Sequence, residues 1–391
     1  MGPKRHRLFS PPDSPGNGFI WLLIVLGLLA LGWVWWRTER PAPPKPAARK
    51  TAPASPAVAR PPAAAPRTNP PPVTPPVAVP VARPMVPSNP PAVSPTVAGA
   101  VSTAYPRPVQ NIFEAQLALD RLGISSGSLD GKTGSQTRAA LRAFQQQAQL
   151  PPTGELDAAT KTNLLLDATP LIQYTVTSND LARLQPIGKT WLAKSQQTAL
   201  DYETLLECVA ERSHAHPALI RRLNPAVDWT NGLSVGMTLQ LPEVIRTNPP
   251  SKAAFVKISL AEKTLQAFDE DSNLLAHFPC SIAARFDKRP VGQLLVKAIA
   301  PNPDYTFNPE VFPESEEARQ LKTKLILPPG PNNPVGTAWI SLDRPGYGMH
   351  GTPNPEQVGR TESHGCFRLA NWNAEHLIKL VWIGMPVLVE P

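Results

Sequence analysis

The stretch RTESHGCFRLAN, residues 360–371, holds three residue types that could act together in catalysis. His364 lies two residues before Cys366, and Arg368 lies two residues after it. Gly365 separates the histidine from the cysteine and permits a close approach to the backbone. Because a base or a positive charge nearby favours the nucleophilic thiolate, acyl transfer through Cys366 is one chemistry that this cluster allows.

A second histidine, His350, stands sixteen residues before Cys366 in the glycine-rich stretch GYGMHGTPNP. In an acyl-transfer scheme, His350 takes the thiol proton, and the amides of Gly365 and Cys366 face the developing oxyanion. Arg368 would bind a carboxylate or hold the loop. Cysteine, histidine and a backbone group that orients the histidine are sufficient for this chemistry.

Other interpretations remain open on the residues alone. His350, His364 and Cys366 could bind zinc, although no fourth ligand is evident and the spacing matches no common site. Cys366 could form a disulfide with Cys280 or Cys208. His364 could also shape the turn by bonding to the backbone.

The residues around this cluster, 253–391, predict a mainly-β sandwich, or a barrel, with one late helix. Short apolar or alternating runs are separated by turn residues, and Cys280 falls inside one of these strands as a buried thiol. The strand runs are AAFVKISL, TLQAFD, LLAHFPCSIA, QLLVKAIA and MPVLVEP, and the helix is NAEHLIKLVWIG.

Two smaller units precede it, so the chain is predicted to be a multidomain α+β protein. Residues 109–168 predict three helices; Asn111 and Glu114 have capping-box spacing at the first, and Asp157 caps the third. Residues 172–245 predict a strand, two helices broken at Pro217 and a closing strand, which is a βααβ module. No element is predicted for residues 177–200, and Cys208 is predicted to be a core thiol.

The amino-terminal hundred residues predict a membrane anchor and a tether. A basic leader, 1–18, precedes an unbroken apolar run, 19–36, which is long enough at about 1.5 Å per residue to cross a bilayer. We expect an uncleaved transmembrane anchor with a cytoplasmic leader; the alternative is a cleaved signal peptide. Residues 37–108 are rich in proline and alanine, which predicts a disordered linker.

The charge of the chain argues against nucleic acid as a partner. The net charge of +8 divides into +3 for residues 1–40, +6 for 41–100 and therefore −1 for the rest. The positive charge thus belongs to the leader and the tether, while the folded part is nearly neutral.

Three stretches resemble known families. HGT followed by SHGCFRL, together with RPVGQLLV, resembles the signature of the L,D-transpeptidase catalytic domain (the YkuD-type fold), except that Arg289 stands where the family often has threonine. DGKTGSQTRAALRAFQ, with AQLALDRLG and GELDAAT around it, resembles the helical peptidoglycan-binding domain. The βααβ module resembles a diverged LysM-like module, although its 177–200 gap is long for that family.

The first resemblance implies that Cys366 attacks the carbonyl of residue three of a peptidoglycan tetrapeptide stem. The terminal D-alanine leaves, and an amine resolves the thioester. His350 would be the base, Gly351 would orient its imidazole through the backbone carbonyl, and Ser363, His364 and Gly365 would shape the pocket and oxyanion hole. No metal or organic cofactor is expected.

The predicted partners are therefore peptidoglycan stem peptides, and the membrane through one amino-terminal helix. The folded domains would lie outside the cytoplasmic membrane, in the periplasm or cell wall. Two alternatives remain: an L,D-carboxypeptidase that uses water on the same thioester, and a membrane-tethered wall-binding protein without catalysis.

Overall fold

The computed structural model describes residues 104–245, 248–249, 251–312, 315–321, 323–361 and 365–391. The predicted leader, anchor and most of the linker lie outside these ranges, as do Ser363 and His364. In the part that is described, every helix is too short or too polar to span a membrane.

The first unit contains the three predicted helices, held at their ends by a small strand pair. The Asn111 side chain accepts from the Glu114 N–H, and Asp157 accepts from the Thr160 N–H, so both predicted caps are present. The Glu114 carboxylate accepts from the Gln110 N–H instead of completing a capping box with Asn111. The elements are β1 (Arg107–Pro108), α1 (Ile112–Arg121), α2 (Ser135–Gln147), α3 (Ala158–Asn163) and β2 (Leu165–Leu166).

The middle unit begins and ends with the two predicted strands, which pair antiparallel with Leu171 opposite Pro242. Between them lie the two predicted helices, the second of which starts at Pro217, and two further helices of five residues each within the 177–200 gap. Thr177 and Thr190 cap these short helices. The elements are β3 (Leu171–Thr175), α4 (Ser178–Ala182), α5 (Trp191–Ser195), α6 (Leu205–Arg212), α7 (Pro217–Leu223) and β4 (Thr238–Pro242).

The carboxy-terminal unit is built on one curled sheet of eight strands, with a separate hairpin and two α-helices in the described residues. The elements are β5 (Phe255–Ser259), β6 (Thr264–Phe268), β7 (Leu274–Pro279), β8 (Gly292–Pro301), β9 (Tyr305–Phe307), α8 (Glu316–Gln320), β10 (Leu325–Leu327), β11 (Ala338–Leu342), β12 (Gly348–His350), β13 (Phe367–Arg368), α9 (Asn371–Leu380) and β14 (Pro386–Glu390). The strand order in the sheet is β13-β12-β11-β8-β14-β5-β6-β7. The β9–β10 hairpin carries the short helix α8, and α9 packs on the sheet.

The mainly-β prediction is confirmed, but the two halves of the sheet are continuous rather than stacked as separate layers. The start of the long strand β8 pairs with β14, and its end pairs with β11. The outer edges then meet, because Ser281 and Arg368 exchange two backbone hydrogen bonds of 2.9 and 3.1 Å. This curl encloses an apolar core and brings the residues after β7 next to β13.

The middle unit inserts an apolar side chain into the β9–β10 hairpin. Leu200 is fully buried with Phe307 and Leu327, and its carbonyl accepts from the Asn332 N–H at 2.9 Å. Gly330 has a φ of +140°, and a Cβ there would lie 2.2 Å from the Leu200 carbonyl oxygen. The backbones can approach this closely only because residue 330 is glycine.

Candidate active site

The strand pair β12–β13 places the predicted catalytic residues side by side at one end of the sheet. The two strands are parallel, with His350 opposite Arg368, and Cys366 directly precedes β13. His350, Cys366 and Arg368 line one cleft of about 680 Å³ together with Gly365. The parallel pairing of β12 with β13 therefore brings together residues that the sequence separates.

His350 is almost fully buried, and its ring is held by its own loop. Nδ1 lies 2.6 Å from the Gly351 carbonyl oxygen. Because a carbonyl can only accept, Nδ1 carries a proton, and Nε2 is the nitrogen of the neutral ring that can take one. Burial lowers the pKa of His350 to about 4, as does the charge of Arg368, while the bond to Gly351 acts in the opposite direction.

Cys366 is half-buried, and its Sγ lies 3.4 Å from the Gly346 carbonyl oxygen. Burial raises the pKa of Cys366 to about 11, although the Gly348 backbone and the charge of Arg368 both favour the thiolate. At neutral pH the cleft therefore holds a thiol and a neutral imidazole. This arrangement suits proton transfer during nucleophilic attack better than a preformed thiolate–imidazolium pair.

Gly351 packs against a buried asparagine to which sequence reasoning assigned no role. A Cβ on Gly351 would lie 2.2 Å from Asn371 Oδ1. This oxygen accepts from the Thr352 N–H at 2.9 Å and from the Thr337 N–H at 3.3 Å, so it fixes the loop that follows His350. Asn371 is the last residue of the stretch RTESHGCFRLAN and the first residue of helix α9. Its place next to the catalytic motif was the only sequence feature that could have pointed to this role.

The aromatic side chains that line the cleft were not predicted from the sequence either. Trp191 comes from α5 in the middle unit and stacks on Phe307 with ring centroids 4.2 Å apart. Trp191, Tyr305 and Phe312 all line the cleft. No sequence pattern indicated this arrangement, because the helix that carries Trp191 is only five residues long.

The structure also bears on the alternatives for Cys366. Cys208, Cys280 and Cys366 all carry thiols rather than disulfides, which contradicts the disulfide interpretation. Cys208 and Cys280 are fully buried, as predicted. Within the described ranges no three metal-binding side chains form a cluster, and His364, a member of the suggested zinc set, lies outside them.

Comparison with known proteins agrees with two of the three resemblances. Residues 253–389 match the family model described as the L,D-transpeptidase catalytic domain, and residues 109–164 match the model of a peptidoglycan binding domain. A Bacillus licheniformis protein named as an L,D-transpeptidase, YkuD, is 25% identical over 48% of this chain and 94% of its own length. A Bacillus subtilis protein named in the same way, YqjB, is 33% identical over 26% of this chain and 52% of its own length.

Two solved structures show a weak likeness. L,D-transpeptidase 3 from Mycobacterium tuberculosis is 16% identical, with a TM-score of 0.29, over 44% of this chain and 84% of that one. An L,D-transpeptidase from Xylanimonas cellulosilytica is 15% identical, with a TM-score of 0.30, over 74% of this chain and 100% of that one. At these TM-scores neither structure supports a conclusion about this chain.

Proposed function

We propose that the L,D-transpeptidase domain of this chain cross-links or remodels peptidoglycan through a thioester on Cys366. The Cys366 sulfur attacks the carbonyl of the third residue of a tetrapeptide stem, and the bond to the terminal D-alanine breaks. An amine then attacks the thioester, forms the new amide and releases the thiol. This route is favoured because residues 253–389 match the catalytic domain and carry the nucleophile and base in one cleft.

In this mechanism His350 transfers protons in both halves. Its Nε2 accepts the thiol proton as sulfur attacks and delivers it to the departing D-alanine nitrogen. In the second half Nε2 accepts a proton from the attacking amine and returns it to the departing Cys366 sulfur, which restores the thiol and the neutral imidazole. The Nδ1–H bond to Gly351, at 2.6 Å, keeps the ring in the tautomer that both steps require.

The remaining predicted residues would stabilise charge and shape the pocket. The amides of Gly365 and Cys366 would face the oxyanion of the tetrahedral intermediate. Arg368, which borders the same cleft, would attract a stem carboxylate. Ser363 and His364 would complete the pocket wall.

One observation carries the proposal. The tethered imidazole of His350 and the thiol of Cys366 belong to the same cleft although they come from two different strand ends. Incubation of the protein with tetrapeptide-stem muropeptides tests it directly. Dimers linked between third residues support transpeptidation, whereas tripeptide products alone would support the L,D-carboxypeptidase, and unchanged substrate would support a non-catalytic wall-binding protein.

A covalent probe gives a second test. A carbapenem should acylate Cys366, because its strained amide reacts with a nucleophilic thiol. Mass spectrometry should locate the adduct on the peptide that contains Cys366. An adduct on Cys208 or Cys280 instead would contradict the assignment.

The other parts of the chain would bring this reaction to the cell wall. Residues 109–164 match a peptidoglycan binding domain, which supports a role in holding the glycan near the cleft. The middle unit would act as a LysM-like glycan binder, and its paired outer strands are compatible with that role. The apolar run 19–36 would anchor the folded domains outside the cytoplasmic membrane.

A further inference from the structure

A chain of hydrogen bonds connects the middle unit with the catalytic histidine. The Glu211 carboxylate on α6 accepts from Asn371 Nδ2 at 2.9 Å. Asn371 Oδ1 accepts from the Thr352 N–H at 2.9 Å. This N–H shares a peptide bond with the Gly351 carbonyl, which accepts from His350 Nδ1 at 2.6 Å. Two amide groups, one from a side chain and one from the backbone, therefore link a carboxylate to the imidazole.

The orientation of the Asn371 amide is fixed by its surroundings. Its Oδ1 faces two N–H donors, those of Thr337 and Thr352, whereas its Nδ2 faces the Pro331 carbonyl and the Glu211 carboxylate. A flipped amide would turn a donor towards two donors and an acceptor towards two acceptors. Asn371 is only 1% exposed, so water does not compensate for such a change.

Both amides are polarised in the same direction. Each accepts a bond at its oxygen and donates one at its nitrogen, so each dipole strengthens the next. A negative charge at Glu211 therefore makes the Gly351 oxygen a better acceptor for the proton on His350 Nδ1. In hydrolases with a carboxylate beside the histidine, the carboxylate orients the ring and stabilises the imidazolium directly.

We propose that Glu211 is a positioning residue for the transpeptidation reaction: its carboxylate, supplied by the middle unit, acts through Asn371 and the Gly351–Thr352 peptide to favour the imidazolium of His350. This inference rests on the proposed function. It also gives the middle unit a part in the reaction separate from glycan binding.

The surroundings of Glu211 place its titration close to neutral pH. The pKa of Glu211 is raised to about 8, mainly by burial. The bond from Asn371 acts to lower it, and three neighbouring carboxylates act to raise it: Glu375 on α9, Glu207 on α6, and Glu356 in the turn Pro355–Gln357. Glu211 borders a cavity of about 170 Å³ between α6 and that turn. Because the carboxyl gains its charge as the pH rises, the effect on His350 should appear above about pH 8.

Two variants separate the charge of Glu211 from its hydrogen bond. Glu211→Gln keeps an oxygen that can accept from Asn371 but has no charge, whereas Glu211→Ala removes both. Glu375→Gln is the matched control, since it removes a charge from an exposed side chain that makes none of the described hydrogen bonds to Asn371.

The first readout is the rate at which iodoacetamide alkylates Cys366 between pH 6 and 10, followed by mass spectrometry of the peptide. This measurement needs no peptidoglycan. In the unmodified protein the alkylation rate should rise near pH 8, in addition to the rise caused by ionisation of the Cys366 thiol. Glu211→Gln should lose this rise and react roughly threefold to tenfold more slowly above pH 8. Glu375→Gln should keep the rise and move it to lower pH, because a carboxylate that repels Glu211 is gone.

The second readout is steady-state kinetics on tetrapeptide-stem muropeptides. At a pH above 8, where Glu211 carries its charge, Glu211→Gln should lower kcat by a similar factor and leave KM unchanged, because Glu211 acts through His350 and borders a different cavity from the substrate cleft. Thermal unfolding of each variant separates a loss of folding from a loss of positioning.

Several results would overturn the inference. If Glu211→Gln has the pH profile and kcat of the unmodified protein, the charge has no role, even if Glu211→Ala is impaired. Failure of the proposed function gives a different result. If Cys366→Ala still produced cross-linked dimers, the thioester mechanism on Cys366 would be wrong. The alkylation profile of the unmodified protein and of Glu211→Gln would still test the coupling between Glu211 and His350.

Discussion

Each of the two meeting edges of the catalytic sheet carries a histidine and a cysteine. His277 and Cys280 belong to the β7 edge, and His350 and Cys366 belong to the β12–β13 edge. The pKa shifts of the two pairs are similar. Both histidines have a pKa lowered to about 4, while the pKa of Cys280 is raised to about 12 and that of Cys366 to about 11.

The difference between the pairs lies in their partners and in access. His277 Nδ1 accepts from Gln266 Nε2 at 3.2 Å, and its own Nε2 has no partner among the described residues. His350 has the opposite tautomer, with Nδ1 protonated and tied to Gly351, and it borders the cleft that Cys366 shares. Burial thus shifts the pKa values of both pairs. Of the two pairs, only His350 and Cys366 share an open cleft, and we therefore expect only this pair to react.

The largest expected effect comes from exchanging the two thiols for alanine in turn. Cys366→Ala should lower transpeptidation by about 10³-fold or more, because it removes the atom that forms the thioester. Cys280→Ala should retain near-normal activity and cost roughly 1–2 kcal/mol of stability through the cavity it leaves. Muropeptide turnover and urea unfolding measure both; comparable losses of activity would remove the distinction between the edges.

The two histidines should separate in the same way. His350→Gln should lower kcat by about 10²–10⁴-fold, since the general base is lost. His277→Gln should change kcat little, because His277 is not among the residues that line the cleft of His350 and Cys366. Steady-state kinetics with protein of verified fold gives the comparison, and a full loss of activity in His277→Gln would mean that the β7 edge takes part in catalysis.

Thiol labelling should sharpen the contrast without any substitution. In the folded protein iodoacetamide should modify Cys366 at least about 100-fold faster than Cys208 or Cys280, because those two thiols are fully buried. In urea the three rates should converge. Time-resolved peptide mass spectrometry measures them, and rapid labelling of Cys280 under native conditions would contradict the buried environment described for it.

The smallest effect concerns stability at acid pH. The unfolded state binds a proton on His277 below about pH 6.5, whereas the folded state does so only below about 4, so stability falls as the pH decreases through this window. Between pH 7 and 5 the unmodified protein should therefore lose about 2 kcal/mol more than His277→Gln. Urea midpoints at the two pH values test this, and equal losses would place the low pKa of His277 in doubt.

The strands, and the residues of the candidate site, were easiest to identify from the sequence where a pattern was long or a residue type was rare. Alternating runs located the strands of the sheet, and the cysteine and histidine in glycine-rich motifs located Cys366 and His350. The curl of the sheet could not be predicted, because pairing along β8 and the Ser281–Arg368 contact depend on residues distant in sequence.

The contributions of the middle unit were missed for a related reason. Glu211 belongs to a helix that was predicted, but its contact with Asn371 joins residues 160 positions apart. Trp191 belongs to a five-residue helix, which is too short for apolar periodicity to be recognised. Tertiary contacts of this kind leave no local pattern.

The burial of Leu200 shows that the folded unit around the catalytic sheet includes residues that precede residue 253. The family match begins at residue 253, yet the core of the β9–β10 hairpin contains Leu200 and packs against Trp191. A truncated protein that starts at residue 253 would leave the apolar side chains of this hairpin in water. A fragment that includes the middle unit should therefore be more stable than one that begins at residue 253, because Leu200 and Trp191 complete the apolar core of the hairpin.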